Sequence, residues 1–287
     1  MTSPPVERSS LSRIQTHLNR IACLRDPFEN RKNLLTVQHY IESELYSYGY
    51  MVKKDFFEFE REEFSNIIAG RIKPDKTPRF IIGAHFDAVP GTPGADDNAS
   101  GVAALLEAAR CLAHSPANQY TEFVAFNLEE YNMAGSKAYA RKLKKKKIPV
   151  LGMISLEMIG YVSHEKGSQK IPLPLKPFYP STGDFIALVG DGQSKQLLKQ
   201  AEMAFKKIPG LNSEALTVPM RGILLPEVRL SDHSPFWDEG YPALLITDTS
   251  FFRNPNYHSP QDTLDTLDVA FIQKVTDAVI QLASTIT

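Results

Sequence analysis

The chain opens with helical periodicity. Within residues 11–50, Ile14, Leu18, Ile21 and Leu24 recur at helical spacing, as do Leu35, Tyr40, Ile41 and Leu45, and Gly49 closes the second helix. The pattern then changes to alternation, which predicts strands over residues 51–59 and 66–71, followed by a turn over 74–78. Short apolar runs come next. Phe80-Ile81-Ile82-Gly83-Ala84 stops at His85, Phe123-Val124-Ala125-Phe126 leads to Glu129-Glu130, and Met153-Ile154-Ser155-Leu156 stops at Glu157. Ala243-Leu244-Leu245-Ile246-Thr247 is a fourth run of this kind. A helix rich in small and apolar residues is expected from Ser100 onward, and an amphipathic closing helix over 267–286.

Apolar runs alternating with helical segments predict an α/β fold. It is expected as one domain over residues 1–287, a mixed but mostly parallel central sheet with helices on both faces. In such sheets the ligand site lies beyond the carboxyl ends of the strands. His85, Glu129, Glu130 and Glu157 all fall there. Residues 163–183, with Pro172, Pro174, Pro177 and Pro180, break the alternation and read as a long surface loop near the site.

Composition narrows the function classes. Among 287 residues, Lys+Arg number 32 and Asp+Glu 33, so the chain lacks the basic excess that nucleic-acid binding needs. Lys144 to Lys147 reads as a solvated face. Two cysteines, Cys23 and Cys111, are too few for a disulfide framework or a cysteine zinc site, and two free thiols are expected. No stretch approaches a membrane span, and the N-terminal residues do not read as a secretory signal, so a cytoplasmic location is the expectation.

Five segments carry chemistry. His85 and Asp87 lie two apart, on one side of an extended chain, so Asp87 is placed to orient the imidazole of a metal ligand. Asp96-Asp97-Asn98 precedes a helix start; one of them suffices as a cap, which leaves a carboxylate over. Glu129 and Glu130 are adjacent carboxylates, which repel unless a cation or proton intervenes. Glu157 ends an apolar run, where an unpaired charge is costly. Tyr257-His258 supplies the second histidine, followed by Asp262. Histidines and carboxylates without cysteine suit borderline divalent ions such as Zn²⁺.

These motifs, in this order, resemble the co-catalytic zinc peptidases that include secreted bacterial leucine aminopeptidases and the glutamate carboxypeptidases. The resemblance runs from about Asn66 to Thr263. It implies the zinc-dependent exopeptidase fold and two Zn²⁺ per chain. His85, Asp97 and Glu157 would bind one ion, and Asp97, Glu130 and His258 the other. Glu129 would be the general base that takes a proton from a water shared by the ions. Tyr257 would stabilise the oxyanion, and a cis peptide is expected at Asp97–Asn98. Many relatives carry aspartate where Glu157 stands.

The implied activity is release of N-terminal residues from short peptides. The alternatives are a glutaminyl-cyclase-like acyltransferase, or a carboxypeptidase or dipeptidase of the same fold. Arg221 and Arg229 are candidates for orienting substrate. Ser231-Asp232-His233 does not make a triad, because consecutive side chains do not converge and no nucleophile elbow is present. Gly190-Asp191-Gly192 reads as a plain turn. Oligomeric state is not legible.

Overall fold

The computed structural model describes residues 7–71, 76–173 and 175–286. The start of the turn expected at 74–78 lies outside the described residues, as do residues 1–6 of the N-terminus. Helices α1 (Leu11–Ile21) and α2 (Arg31–Ser47) come first, followed by strands β1 (Met51–Phe59), β2 (Glu62–Gly70) and β3 (Arg79–His85). Helix α3 (Gly101–Leu112), β4 (Thr121–Phe126), α4 (Ala134–Lys145) and β5 (Val150–Glu157) follow. The chain closes with β6 (Phe185–Asp191), α5 (Lys195–Phe205), β7 (Asn212–Val218), α6 (His233–Asp238), β8 (Ala243–Thr247) and α7 (Val269–Ala283).

The strands form one sheet in the order β1-β2-β4-β3-β5-β8-β6-β7. The central four, β4, β3, β5 and β8, are parallel. At one edge β1 and β2 form an antiparallel hairpin, and at the other β6 runs antiparallel to β8 and parallel to β7. Every residue of β3, β4 and β8 is buried, because helices cover both faces and leave no solvent side on which to alternate. Ile82 and Phe80 pack with α1, α2, α3, α5 and α7; Ile81, one residue out of phase, packs with α4 and α6 around Phe236 and Trp237.

The first helices fall where the periodicity places them, with one adjustment. Leu24 and Leu35 are exposed; Leu34, Val37, Ile41 and Leu45 form the buried stripe of α2. The described residues of 163–183 stay free of helix and strand, apart from a bridge between Lys166 and Thr182. Both cysteines are free thiols. Gly190-Asp191-Gly192 is a turn in which Asp191 accepts from the backbone and hydroxyl of Ser194. Among the described residues no helix is long and apolar enough to cross a membrane.

Candidate metal centre

The parallel strands deliver the chemistry to one edge of the sheet. His85 is the last residue of β3 and Glu157 the last of β5. Glu129 and Glu130 lie just beyond β4, Asp97 sits in the turn before α3, and His258 comes from the loop after β8. His85 Nε2 lies 3.2 Å from Asp97 Oδ1 and 3.4 Å from Glu157 Oε2. His258 Nε2 lies 3.2 Å from Asp97 Oδ2 and 3.2 Å from Glu130 Oε2. Two three-residue clusters therefore share Asp97, one on each carboxylate oxygen.

The charge state matches a cation site. Burial alone would lower the His258 imidazole, but the carboxylates of Asp97 and Glu130 overcome it and raise the pKa to about 10. Burial likewise opposes charge on His85, and Glu157 and Glu129 outweigh it, so its pKa stands well above the usual value. Burial raises Glu130 to about 7 and pushes Glu129 well above the carboxylate range. Burial also disfavours the Asp97 carboxylate, yet the two histidines, each 3.2 Å from one of its oxygens, win and lower its pKa. Nε2 of buried His85 and Oε1 of Glu130 lack a hydrogen-bond partner of good geometry, a deficit that a bound cation satisfies. The nitrogen and oxygen donor set fits a borderline divalent ion.

The surrounding bonds explain how these side chains are held. Asp87 Oδ1 and Oδ2 accept the backbone N–H groups of Glu129 and Glu130, at 3.1 and 3.2 Å. Its contact with His85 Nδ1 is long, 3.5 Å, so the stronger task of Asp87 is to fix the Glu129-Glu130 backbone. Asp262 accepts the N–H groups of Asp96 and Asp97. The Asp97–Asn98 peptide is cis, and Asn98 bridges to β5 through Leu156 O and Met158 N. Ser231 donates to Glu157 Oε2 at 2.8 Å.

Beside the clusters lies a cavity of about 140 Å³, with Asp97, Glu129, Glu130 and Glu157 at one end and a mainly apolar extension at the other. Tyr257 lines it and stacks on His258 with ring centroids 3.7 Å apart. Burial, reinforced by the nearby carboxylates, holds its phenol protonated and so able to donate. The 163–183 loop contributes Gln169, Lys170, Ile171, Pro172, Leu175 and Tyr179 to the wall, as its position in the sequence suggested.

The family's sequence profile, peptidase family M28, matches residues 66–283. The chain belongs to peptidase family M28. It is 37% identical over 268 residues to the uncharacterized protein YfbL of Escherichia coli (strain K12), covering 88% of this chain and 81% of that one. Against aminopeptidase YwaD of Bacillus subtilis (strain 168) it is 32% identical over 228 residues, 77% of this chain but 44% of YwaD. Among solved structures, the LapA aminopeptidase of Legionella pneumophila superposes with a TM-score of 0.72 at 19% identity, over 96% of this chain and 71% of that one. BSAP, a zinc aminopeptidase from Bacillus subtilis, gives a TM-score of 0.60 at 25% identity, over 78% and 50%. This M28 chain thus has the exopeptidase fold expected from its motifs.

One expectation for the M28 site needs correction. Neither Arg221 nor Arg229 lines the cavity. Arg229 Nη2 donates to both Asp238 oxygens at 2.8 and 2.9 Å, and Arg221 reaches the Asp238 carbonyl, so both side chains turn to the end of α6. Both oxygens of Asp232 are buried without a partner of good geometry, and burial raises its pKa to about 7. His233 faces Val228 O and the Trp237 ring, so no triad forms.

Sequence reasoning missed Arg25. Its side chain is fully buried and donates to the carbonyls of Phe86, Cys23, Pro93 and Gly94, with a longer 3.5 Å contact to Asp97 O. Gly94 lets it in. A Cβ there would meet Asp97 O at 2.3 Å and both terminal nitrogens of Arg25 at 2.9 Å, on a backbone with φ of +58°. Gly94→Ala is therefore expected to lose about 2–3 kcal/mol in urea melts. A variant as stable as the parent would contradict this packing.

Proposed function

We propose that this chain is an aminopeptidase that releases N-terminal residues from short peptides, using two divalent ions, most suitably zinc. The observation that carries the reading is the division of Asp97: one oxygen faces the His85–Glu157 cluster and the other the His258–Glu130 cluster. A single-ion site has no use for two ligand sets on one carboxylate. The name of the relative YwaD and the zinc of BSAP support the amino-terminal and zinc parts of the proposal.

His85, Asp97 and Glu157 would hold one ion, and Asp97, Glu130 and His258 the other. Bound there, the ions supply Lewis acidity that polarises the scissile carbonyl and acidifies water. Glu129, facing the cavity, takes a proton from the attacking water on its carboxylate and returns it to the leaving amine nitrogen. Its raised pKa suits a group that must both accept and release a proton. Asp87 fixes Glu129 through its backbone, and Tyr257 donates its phenolic proton toward the oxyanion.

The test is metal content by mass spectrometry together with a panel of aminoacyl-anilides and N-blocked dipeptides. About two zinc ions per chain and cleavage of unblocked substrates alone are expected. Cleavage of only the blocked set would replace this reading with a carboxypeptidase or dipeptidase, and cyclisation of N-terminal glutamine with one zinc would favour an acyltransferase.

Proton linkage gives a further expectation. Without metal, Glu130 is raised from 4.5 to about 7 and His258 from 6.5 to about 10. Both raised values mean that the native state holds protons more tightly than the unfolded chain. The stability they contribute is full at low pH and falls as pH rises through those windows. Metal binding needs the deprotonated ligands. Added zinc is therefore expected to raise Tm far more near pH 8 than near pH 5.5. Equal shifts in thermal melts at the two pH values would contradict the ligand assignment.

A further inference from the structure

The cavity is longer than a small aliphatic side chain needs, and it ends in a carboxylate. The sheet register sets its floor. Glu157 of β5 pairs with Thr247 of β8, Thr247 with Ala187 of β6, and Ala187 with Glu214 of β7. All four line the cavity. Residues paired across strands share a face, so a single row runs from the proposed metal ligand Glu157 to Glu214 on the edge strand. Three inter-strand spacings make that row about 14 Å long. The neighbouring row, Leu245, Val189 and Leu216, is apolar. Ala187, the smallest residue of the floor, leaves the middle of the trough open. Ile171, Pro172 and Leu175 close it from the 163–183 loop.

Glu214 is half-buried at the far end, and among the described residues its carboxylate has no hydrogen bond or ion pair. Burial raises its pKa, with Lys206 too distant to pair. Glu227, exposed, also lines the cavity and adds a second negative charge to it. Lys170, the basic residue of the lining, is exposed and is tied through its backbone to Phe252.

We propose that Glu214 is a specificity-determining residue that selects peptides beginning with lysine or arginine. This rests on the aminopeptidase reading above. With the scissile carbonyl above Glu157, the four-carbon stem of a lysine reaches about 6 Å along the trough. A charge-assisted contact of about 3 Å and the reach of the Glu214 side chain itself cover the remainder of the row. The methylenes lie on Val189, Leu216 and Leu245, as a snorkelling side chain requires. A leucine side chain stops short, near Thr247 and Ala187, and leaves Glu214 half-desolvated and unpaired.

The test compares kcat/KM of the zinc-loaded enzyme for lysyl- and norleucyl-anilides, which share a stem and differ in the ammonium. The wild type is expected to favour lysine by about 10-fold or more, the size of a charge-assisted hydrogen bond. Glu214→Gln should bring the ratio near unity, and Glu214→Lys should invert it. A wild-type preference for norleucine, or an unchanged ratio in Glu214→Gln, overturns the assignment while leaving the aminopeptidase reading intact. Failure to cleave any anilide sinks that reading and this one with it.

Discussion

Glu129→Gln is expected to reduce kcat by about 10³-fold or more while keeping the parent's metal content, whether or not that is the two ions proposed. Glutamine keeps the size and shape of the side chain but has no basic oxygen for the proton of the attacking water. Loss of a positioned general base costs typically 10²–10⁴-fold. Metal should be retained because Glu129 belongs to neither pair of ligand contacts around Asp97. The backbone N–H of residue 129 remains held by Asp87 in the variant, so Glu130 keeps its place. Anilide turnover and metal content, measured on the same sample, decide the matter. A variant that loses zinc together with activity would make Glu129 a ligand, and one that keeps full activity would remove it from the mechanism.

The site was more legible in the sequence than its supports were. His85, Glu130 and Glu157 could be read because a strand end at a sheet's carboxyl edge is marked locally, by an apolar run that stops at a polar residue. Their convergence could be inferred from parallel topology alone. Asp262 shows the opposite case. Its carboxylate holds the N–H groups of Asp96 and Asp97 from about 165 positions away, and nothing beside it in the chain signals that task. Ser231 stood inside a misleading Ser-Asp-His string, and its partner is Glu157, 74 positions distant. Strand β7 was missed for a different reason. As an edge strand it exposes Asn212 and Thr217 and half-buries the four residues between Asn212 and Thr217, so neither a continuous apolar run nor clean alternation marks it. Helix α4 went unread because lysines and arginine dominate its surface and only Tyr139, Ala140 and Leu143 supply large buried contacts.

Arg25→Met should be the most damaging single substitution away from the ligands, costing about 3–5 kcal/mol of stability and much of the metal affinity. The guanidinium is buried without a carboxylate in contact and is satisfied almost wholly by carbonyl oxygens. Those oxygens belong to Phe86, next to His85, and to Pro93 and Gly94, just before Asp97. One cation thus fastens both ends of the segment that carries a ligand of each cluster. Methionine fills the volume but leaves four carbonyls without donors in a dry interior, and each is costly to leave unpaired. The lost positive charge also matters, because Asp97, Asp262 and Asp87 are the carboxylates that the guanidinium offsets. Lysine keeps that charge but not the fork, so Arg25→Lys should recover part of the stability and less of the zinc affinity. A role limited to core packing predicts a different result: Arg25→Met would then lose stability while zinc affinity in the folded fraction stayed at the parent value. Competitive chelator titration beside urea melts separates the two outcomes.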